Sequence, residues 1–254
     1  MTAKRQPLEV EIIPTFHEVD SLAFTEVLEH IKRIPKNSFL FMEITEKELN
    51  EGLSVLRKID YATVKKYGGW LHRFNIFIEA QKRNLRILPI ESLPFVRAEV
   101  KNWSQPKIDL GRIVYLHNLR EEQFARNIEG QGTQRLKNYV VLGAQHALSL
   151  KQILGVHGVK ADVNMSFYSG RNREEIKNCM EVEIEFRSAV LKGNYEAAKR
   201  LLQKTEDFAR KIFQRRDKVG KGPISIVDRV KKSKEIQAER VKRNHPKKAH
   251  LLPK

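Results

Sequence analysis

A single cysteine, Cys179, in 254 residues excludes an intrachain disulfide and leaves no thiolate set for a metal centre. That usage fits a reducing compartment, and the expectation is a cytoplasmic protein. Long hydrophobic runs are also missing. No window approaches the roughly 18 consecutive apolar residues of a membrane span, so no transmembrane segment is expected. The opening stretch, Met1 to Pro7, is polar with no apolar block behind it, the pattern of neither a signal peptide nor an anchor. Walker loops, HExxH and GxSxG are absent, which removes the phosphate-cradling, helix-borne zinc and nucleophile-elbow readings. Gly130-Gln131-Gly132 is no dinucleotide fingerprint, because it lacks a preceding strand and the third glycine.

Acidic residues are in short supply: 31 Asp+Glu stand against 48 Lys+Arg, a net +17. The excess is uneven. Residues 1–170 hold 24 basic and 19 acidic side chains, a net +5, and residues 171–254 hold 24 and 12, a net +12. A segment this basic attracts polyanions such as RNA, DNA or anionic lipid. The alternative is a solvated surface rich in Lys, Arg and Glu.

What the chain does have is a 41% hydrophobic composition and four short apolar runs, each ending on a residue capable of chemistry. Val10-Glu11-Ile12-Ile13 leads into Pro14-Thr15-Phe16-His17. Phe39-Leu40-Phe41-Met42 ends on Glu43. Arg86-Ile87-Leu88-Pro89-Ile90 ends on Glu91. Tyr139-Val140-Val141-Leu142 leads into Gly143-Ala144-Gln145-His146. Helical periodicity between them makes the runs parallel strands of an α/β sheet. Thr45 and Glu48 form a capping box for one helix, and Pro35 stops another. A helix is expected from Arg112 to Ile128 (with Arg112–Tyr115 open to a strand reading), a short one from Leu148 to Leu154, and a last strand from Val159 to Met165. From Asn172 the pattern is helical only: Glu174–Leu191, a Lys192-Gly193-Asn194 turn, and a second helix from Tyr195. The expected organisation is a three-layer α/β domain with a mostly parallel sheet over 1–170, a helical hairpin over 171–219, and a basic helix and tail over 220–254.

Open parallel sheets bind ligands beyond the carboxyl ends of their strands. His17, Glu43, Glu91 and His146 would converge there. Two imidazoles with a carboxylate are a donor set for Zn or Mn, and without metal the same groups serve as a general base with an orienting acid. For each histidine the alternative is a loop side chain satisfied by hydrogen bonds. Glu43 would pay desolvation unless paired. Glu91, followed by Ser-Leu-Pro, more easily reaches water. Arg120 in a cleft would orient a carboxylate or stabilise an oxyanion, but its local pattern favours an exposed helix face with ordinary ion pairs. His72 reads as core packing. His157 sits in a turn, and His30 and His117 show no matching partner.

Gly143-Ala144-Gln145-His146 after its strand, Phe41-Met42-Glu43-Ile44, and Leu119-Arg120-Glu121-Glu122-Gln123-Phe124-Ala125 stand in an order that resembles the TraB/PrgY/GumN group. That group is related to the Tiki proteases, the EreA-type erythromycin esterases and the ChaN haem-binding proteins. The likeness spans about residues 10–162. Pro14-Thr15-Phe16-His17 keeps the histidine of the family's first Gly-x-x-His motif without its glycine. The resemblance implies a shared α/β core whose polar centre is built from His17, Glu43, Arg120 and His146. In Tiki-like members such a centre is associated with metal-dependent peptide hydrolysis.

Three functional expectations follow. The first is a hydrolase of peptide or ester bonds: His17, His146 and Glu43 hold Mn or Zn, Glu43 and Arg120 act catalytically, and Glu91 and Glu121 support them from behind. The second is RNA or DNA binding through Lys231, Lys232, Lys234, Arg240, Lys242, Arg243, Lys247 and Lys248. The third is an inactive scaffold on the same fold, forming a homo-oligomer through the helical hairpin.

Overall fold

The computed structural model describes residues 7–15, 22–58, 71–103 and 108–204. Five parallel strands form its centre: β1 (Glu9–Thr15), β2 (Phe39–Met42), β3 (Arg86–Pro89), β4 (Asn138–Gly143) and β5 (Lys160–Val163), in the order β3-β2-β4-β1-β5. β1 lies against β4 with Ile12 opposite Val140, and β2 against β4 with Phe41 opposite Val140. The interior strands are near-continuous apolar runs because helices cover both faces, leaving no side for water.

α1 (Leu22–Ile31) and α2 (Glu46–Lys58) both pack against α3 (Leu71–Lys82), on the one face that the right-handed crossover rule assigns to them. The other face carries α4 (Leu93–Trp103), α5 (Leu110–Gln131), α6 (Ala144–Val156) and α7 (Gly170–Leu191). The chain therefore has the three-layer α/β architecture its periodicity predicts. The capping box closes as expected: Glu48 N–H donates to Thr45 Oγ1 at 3.2 Å and Thr45 N–H to Glu48 Oε2 at 2.6 Å. Asp109 caps α5 by accepting from Arg112 N–H at 3.0 Å, so Arg112–Tyr115 is helix and not strand. α5 runs on to Gln131, and only Gly132 ends it, its N–H donating to the Ile128 carbonyl at 2.7 Å. α6 begins at Ala144, directly on the end of β4 and four residues before the expected start at Leu148.

Gly193 takes a φ of +71° in the predicted turn, and a further helix, α8, is described over 195–204. Ile176, Cys179 and Met180 of α7 belong to the same buried core as the sheet. Phe186 and Val190 join Leu110, Ile113 and Val114 of α5 and Ala198 of α8 in a smaller cluster. Residues on either side of position 170 thus share one apolar interior. Among the described residues no helix is long and apolar enough to cross a membrane.

A buried carboxylate–arginine–histidine cluster at the sheet's carboxyl end

β2 connects onward to β3 on one side while its neighbour β4 connects onward to β5 on the other. The connections diverge between these two strands, and that divergence marks the crevice where open α/β sheets place ligands. Glu43 is the first residue beyond β2, and Gly143 is the last of β4. The carboxylate links the two strand ends: Gly143 N–H donates to Glu43 Oε2 at 2.7 Å. That amide stands at the start of α6, where the helix dipole favours a negative group.

Arg120 reaches the same carboxylate from α5, donating Nη2–H to Glu43 Oε1 at 2.9 Å. It also donates to Glu91 Oε2, through Nε at 3.1 Å and through Nη2, and to Glu99 Oε2 through Nη1. Its residue exposure is 5%, so the exposed-face reading of its local pattern does not hold. Glu91 likewise does not reach water; its side chain is 3% exposed. The cause is pairing that continues past β3: Ile90 N–H donates to the Met42 carbonyl and Glu91 N–H to that of Ile44, each at 3.0 Å, carrying Glu91 alongside Glu43. Burial, with Glu43 nearby, holds the Glu91 carboxyl above its ordinary range despite Arg120.

His146 lies in the first turn of α6 and is fully buried. Its Nδ1 is 2.7 Å from Glu121 Oε1, and its Nε2 is 3.9 Å from Glu43 Oε1 and 3.1 Å from the Gln145 amide nitrogen. Glu121 would be pushed up by burial, but Arg187 and His146 hold it below the usual carboxylate range. Arg187 arrives from α7 and grips Glu121 through Nη1 at 2.7 Å and Nη2 at 2.6 Å, the fork geometry of a guanidinium on a carboxylate.

The cluster extends beyond the residues picked out by the sequence. His117 Nδ1 is 3.2 Å from Glu183 Oε1 and its Nε2 is 3.3 Å from Glu99 Oε1. Burial alone would push this imidazole down, but the two carboxylates raise it to about 9. Glu99 and Glu183 would be raised by burial, but His117 with Arg120 or Arg187 takes each down to about 2. His30, also expected to lack a partner, meets Glu11 on β1 at 2.7 Å. Cys179 is buried, and burial pushes its thiol up to about 12, away from the thiolate form.

Five carboxylates, two guanidiniums and two imidazoles thus form one enclosed network, in which anionic groups outnumber the permanent cations. The structure brings together Glu43, Arg120 and His146, with Glu91 and Glu121 beside them. His17 lies outside the described residues, as do Lys231, Lys232, Lys234, Arg240, Lys242, Arg243, Lys247 and Lys248. Among the described residues no three His, Cys, Asp or Glu side chains gather as metal ligands. Of the expected donors, Glu43 and His146 are described: His146 Nδ1 meets the Glu121 carboxylate and its Nε2 lies 3.9 Å from Glu43 Oε1. Glu99, His117, Glu183 and Arg187 are additions. Comparison with protein-family models, with curated proteins and with solved structures gives no match.

Proposed function

We propose that this chain is a metal-dependent hydrolase of peptide or ester bonds, with its reaction centre at the Glu43–Arg120–His146 cluster. One observation carries the reading: three residues from separate elements meet at the switch point of the sheet, with Glu43 Oε1 at 2.9 Å from Arg120 Nη2 and 3.9 Å from His146 Nε2. The motif order shared with the TraB/PrgY/GumN group supports it. His146, Glu43 and His17 would hold a divalent ion of the Zn or Mn kind, which when bound supplies Lewis acidity and an acidified water.

The chain's own groups have definable tasks. Glu43 either helps to hold the ion or is instead the general base that accepts a proton from the attacking water. Arg120, which Glu43, Glu91 and Glu99 keep charged, orients a substrate carbonyl and faces the oxyanion that develops there. Glu91, held above its ordinary range, is the carboxyl beside Glu43 best suited to take that proton onward. The test is elemental analysis and Zn or Mn titration of the full chain, with hydrolysis assayed on a peptide and ester panel. Wild type is expected to bind metal and to hydrolyse in a metal-dependent way; His146→Gln, His17→Ala and Glu43→Gln are expected to lose both. Metal binding indifferent to all three substitutions, or no metal-dependent hydrolysis, removes the proposal.

A second reading is favoured by the charge distribution: residues 205–254 carry 16 basic and 6 acidic side chains. We infer RNA or DNA binding through phosphate contacts, independent of base sequence. Changing Lys231, Lys232, Lys234, Arg240, Lys242, Arg243, Lys247 and Lys248 to Gln is expected to weaken low-salt binding and flatten its salt dependence. Unchanged affinity and slope would exclude this region as the contact surface.

A further inference from the structure

An imidazole that must present one nitrogen to a reaction centre needs its other nitrogen held, because the two tautomers of a free ring are both populated. His146 is held on both sides. Nδ1 is 2.7 Å from Glu121 Oε1, an oxygen that already accepts from the Arg187 fork as a carboxylate does and has no proton to give, which places the proton on Nδ1. The Gln145 amide donates toward Nε2 at 3.1 Å, which requires a lone pair there. Both contacts specify the same tautomer, with Nε2 turned to the side of Glu43.

Glu121 is in turn fixed. It is 0% exposed, and both its oxygens sit in the Arg187 fork. The guanidinium has no slack of its own: Nε donates to Glu183 Oε1 at 2.8 Å and Nη1 also to Asn118 Oδ1 at 3.1 Å. Stability alone does not call for such an arrangement, since apolar residues of similar volume often replace a buried ion pair at no loss. What apolar residues cannot do is define a tautomer.

We propose that Arg187 and Glu121 are positioning residues for His146: Arg187, supplied by α7, fixes the Glu121 carboxylate, and Glu121 fixes the imidazole with its proton on Nδ1 and its unprotonated Nε2, which accepts from Gln145, on the side of Glu43. The helix that follows the sheet is then part of the reaction centre and not an appendage to it. The consequence for catalysis rests on the hydrolase reading; the tautomer does not.

The experiment uses the full chain with ¹⁵N-labelled histidine. Two-bond proton–nitrogen correlation spectra separate the two tautomers, and His146→Gln identifies the signal among the eight histidines. Wild type is expected to show His146 protonated at Nδ1 alone. Arg187→Met, checked for folding, is expected to show a mixture of tautomers and an activity loss of about 10–100-fold, as when supporting partners of a ligand histidine are removed. Arg187→Lys, which keeps the charge but not the fork, should recover part of both. A wild-type proton on Nε2, or a folded Arg187→Met chain with an unmoved tautomer, overturns the inference. If Arg187→Met does not fold, the wild-type spectrum and Arg187→Lys decide. Absence of hydrolysis in wild type would remove the hydrolase reading and leave the tautomer result standing, whereas an active chain with an unlocked His146 removes only this inference.

Discussion

Arg120→Met is expected to destabilise the folded chain by about 3–5 kcal/mol near pH 8, the range found when one partner of a buried ion pair is removed. The magnitude follows from how many anions the side chain serves. Arg120 pairs with Glu43, Glu91 and Glu99 at once, and the first two side chains are 7% and 3% exposed. Methionine fills similar volume, so the cost is electrostatic and not a cavity. Deprived of the guanidinium, Glu91, which burial already raises, holds its proton more firmly, and its folded-state pKa stands further above the unfolded one. Groups raised in this way contribute stability at low pH and lose it as pH rises through the folded pKa. The deficit is therefore expected to be smaller at pH 5 than at pH 8. Arg120→Lys should fall between, since one ammonium cannot span three carboxylates arranged for a planar fork. Glu91→Gln in the Arg120→Met background should recover part of the loss by removing one stranded charge. Urea unfolding at the two pH values measures all of this; a variant within about 1 kcal/mol of wild type at pH 8 would mean that these groups are not the tight, dry pairs described.

The sheet was legible because its strands are nearly unbroken apolar runs, and a run buried on both faces has one reading when turns bound it. The convergence of Glu43 and His146 followed from parallel topology: residues just past the strand ends must share one edge. The partners from helices were harder to see, and α5 shows why. Leu110, Ile113, Val114, His117, Arg120, Glu121, Phe124, Ala125 and Ile128 are all buried, spaced as one helical stripe. Read locally, Arg120-Glu121-Glu122 is an ordinary polar turn. Read along the stripe, His117, Arg120 and Glu121 occupy core positions, and a charged residue in a core position implies a partner. α7 repeats the signal, with Glu183 and Arg187 set among Ile176, Met180, Phe186 and Val190. The polar interruption of two apolar stripes was the clue to Glu183 and Arg187; which interruption faces which depends on tertiary packing and has no local signature. Glu99 carried less of a signal, on a helix whose neighbours are only half-buried.

Stability is expected to peak between about pH 4.5 and 6.5, with the alkaline fall traced to His117. On the acid side, Glu99 and Glu183 are depressed from 4.5 to about 2. Their contribution is complete above 4.5 and is lost as pH falls toward 2. Glu91 is raised and has the opposite sign, so it softens the acid limb. On the alkaline side, His117 is raised from 6.5 to about 9; its contribution is complete below 6.5 and is lost as pH climbs through 9. The groups that set it are Glu99 from α4 and Glu183 from α7, and His146 of α6 and Arg187 of α7 also lie against the ring. Imidazole and carboxylate shifts describe the same ion pairs and count once, so the cation is worth on the order of 3 kcal/mol. His117→Gln keeps a hydrogen-bonding side chain but no charge. It should cost most near pH 6, and its deficit should shrink steadily toward pH 9, where the wild-type ring has also become neutral. Urea midpoints of wild type and His117→Gln, taken from pH 5.5 to 9.5, test the assignment. A deficit that stays constant across that interval would show that His117 is neutral in the fold and that the excess of buried anions is balanced by some other group.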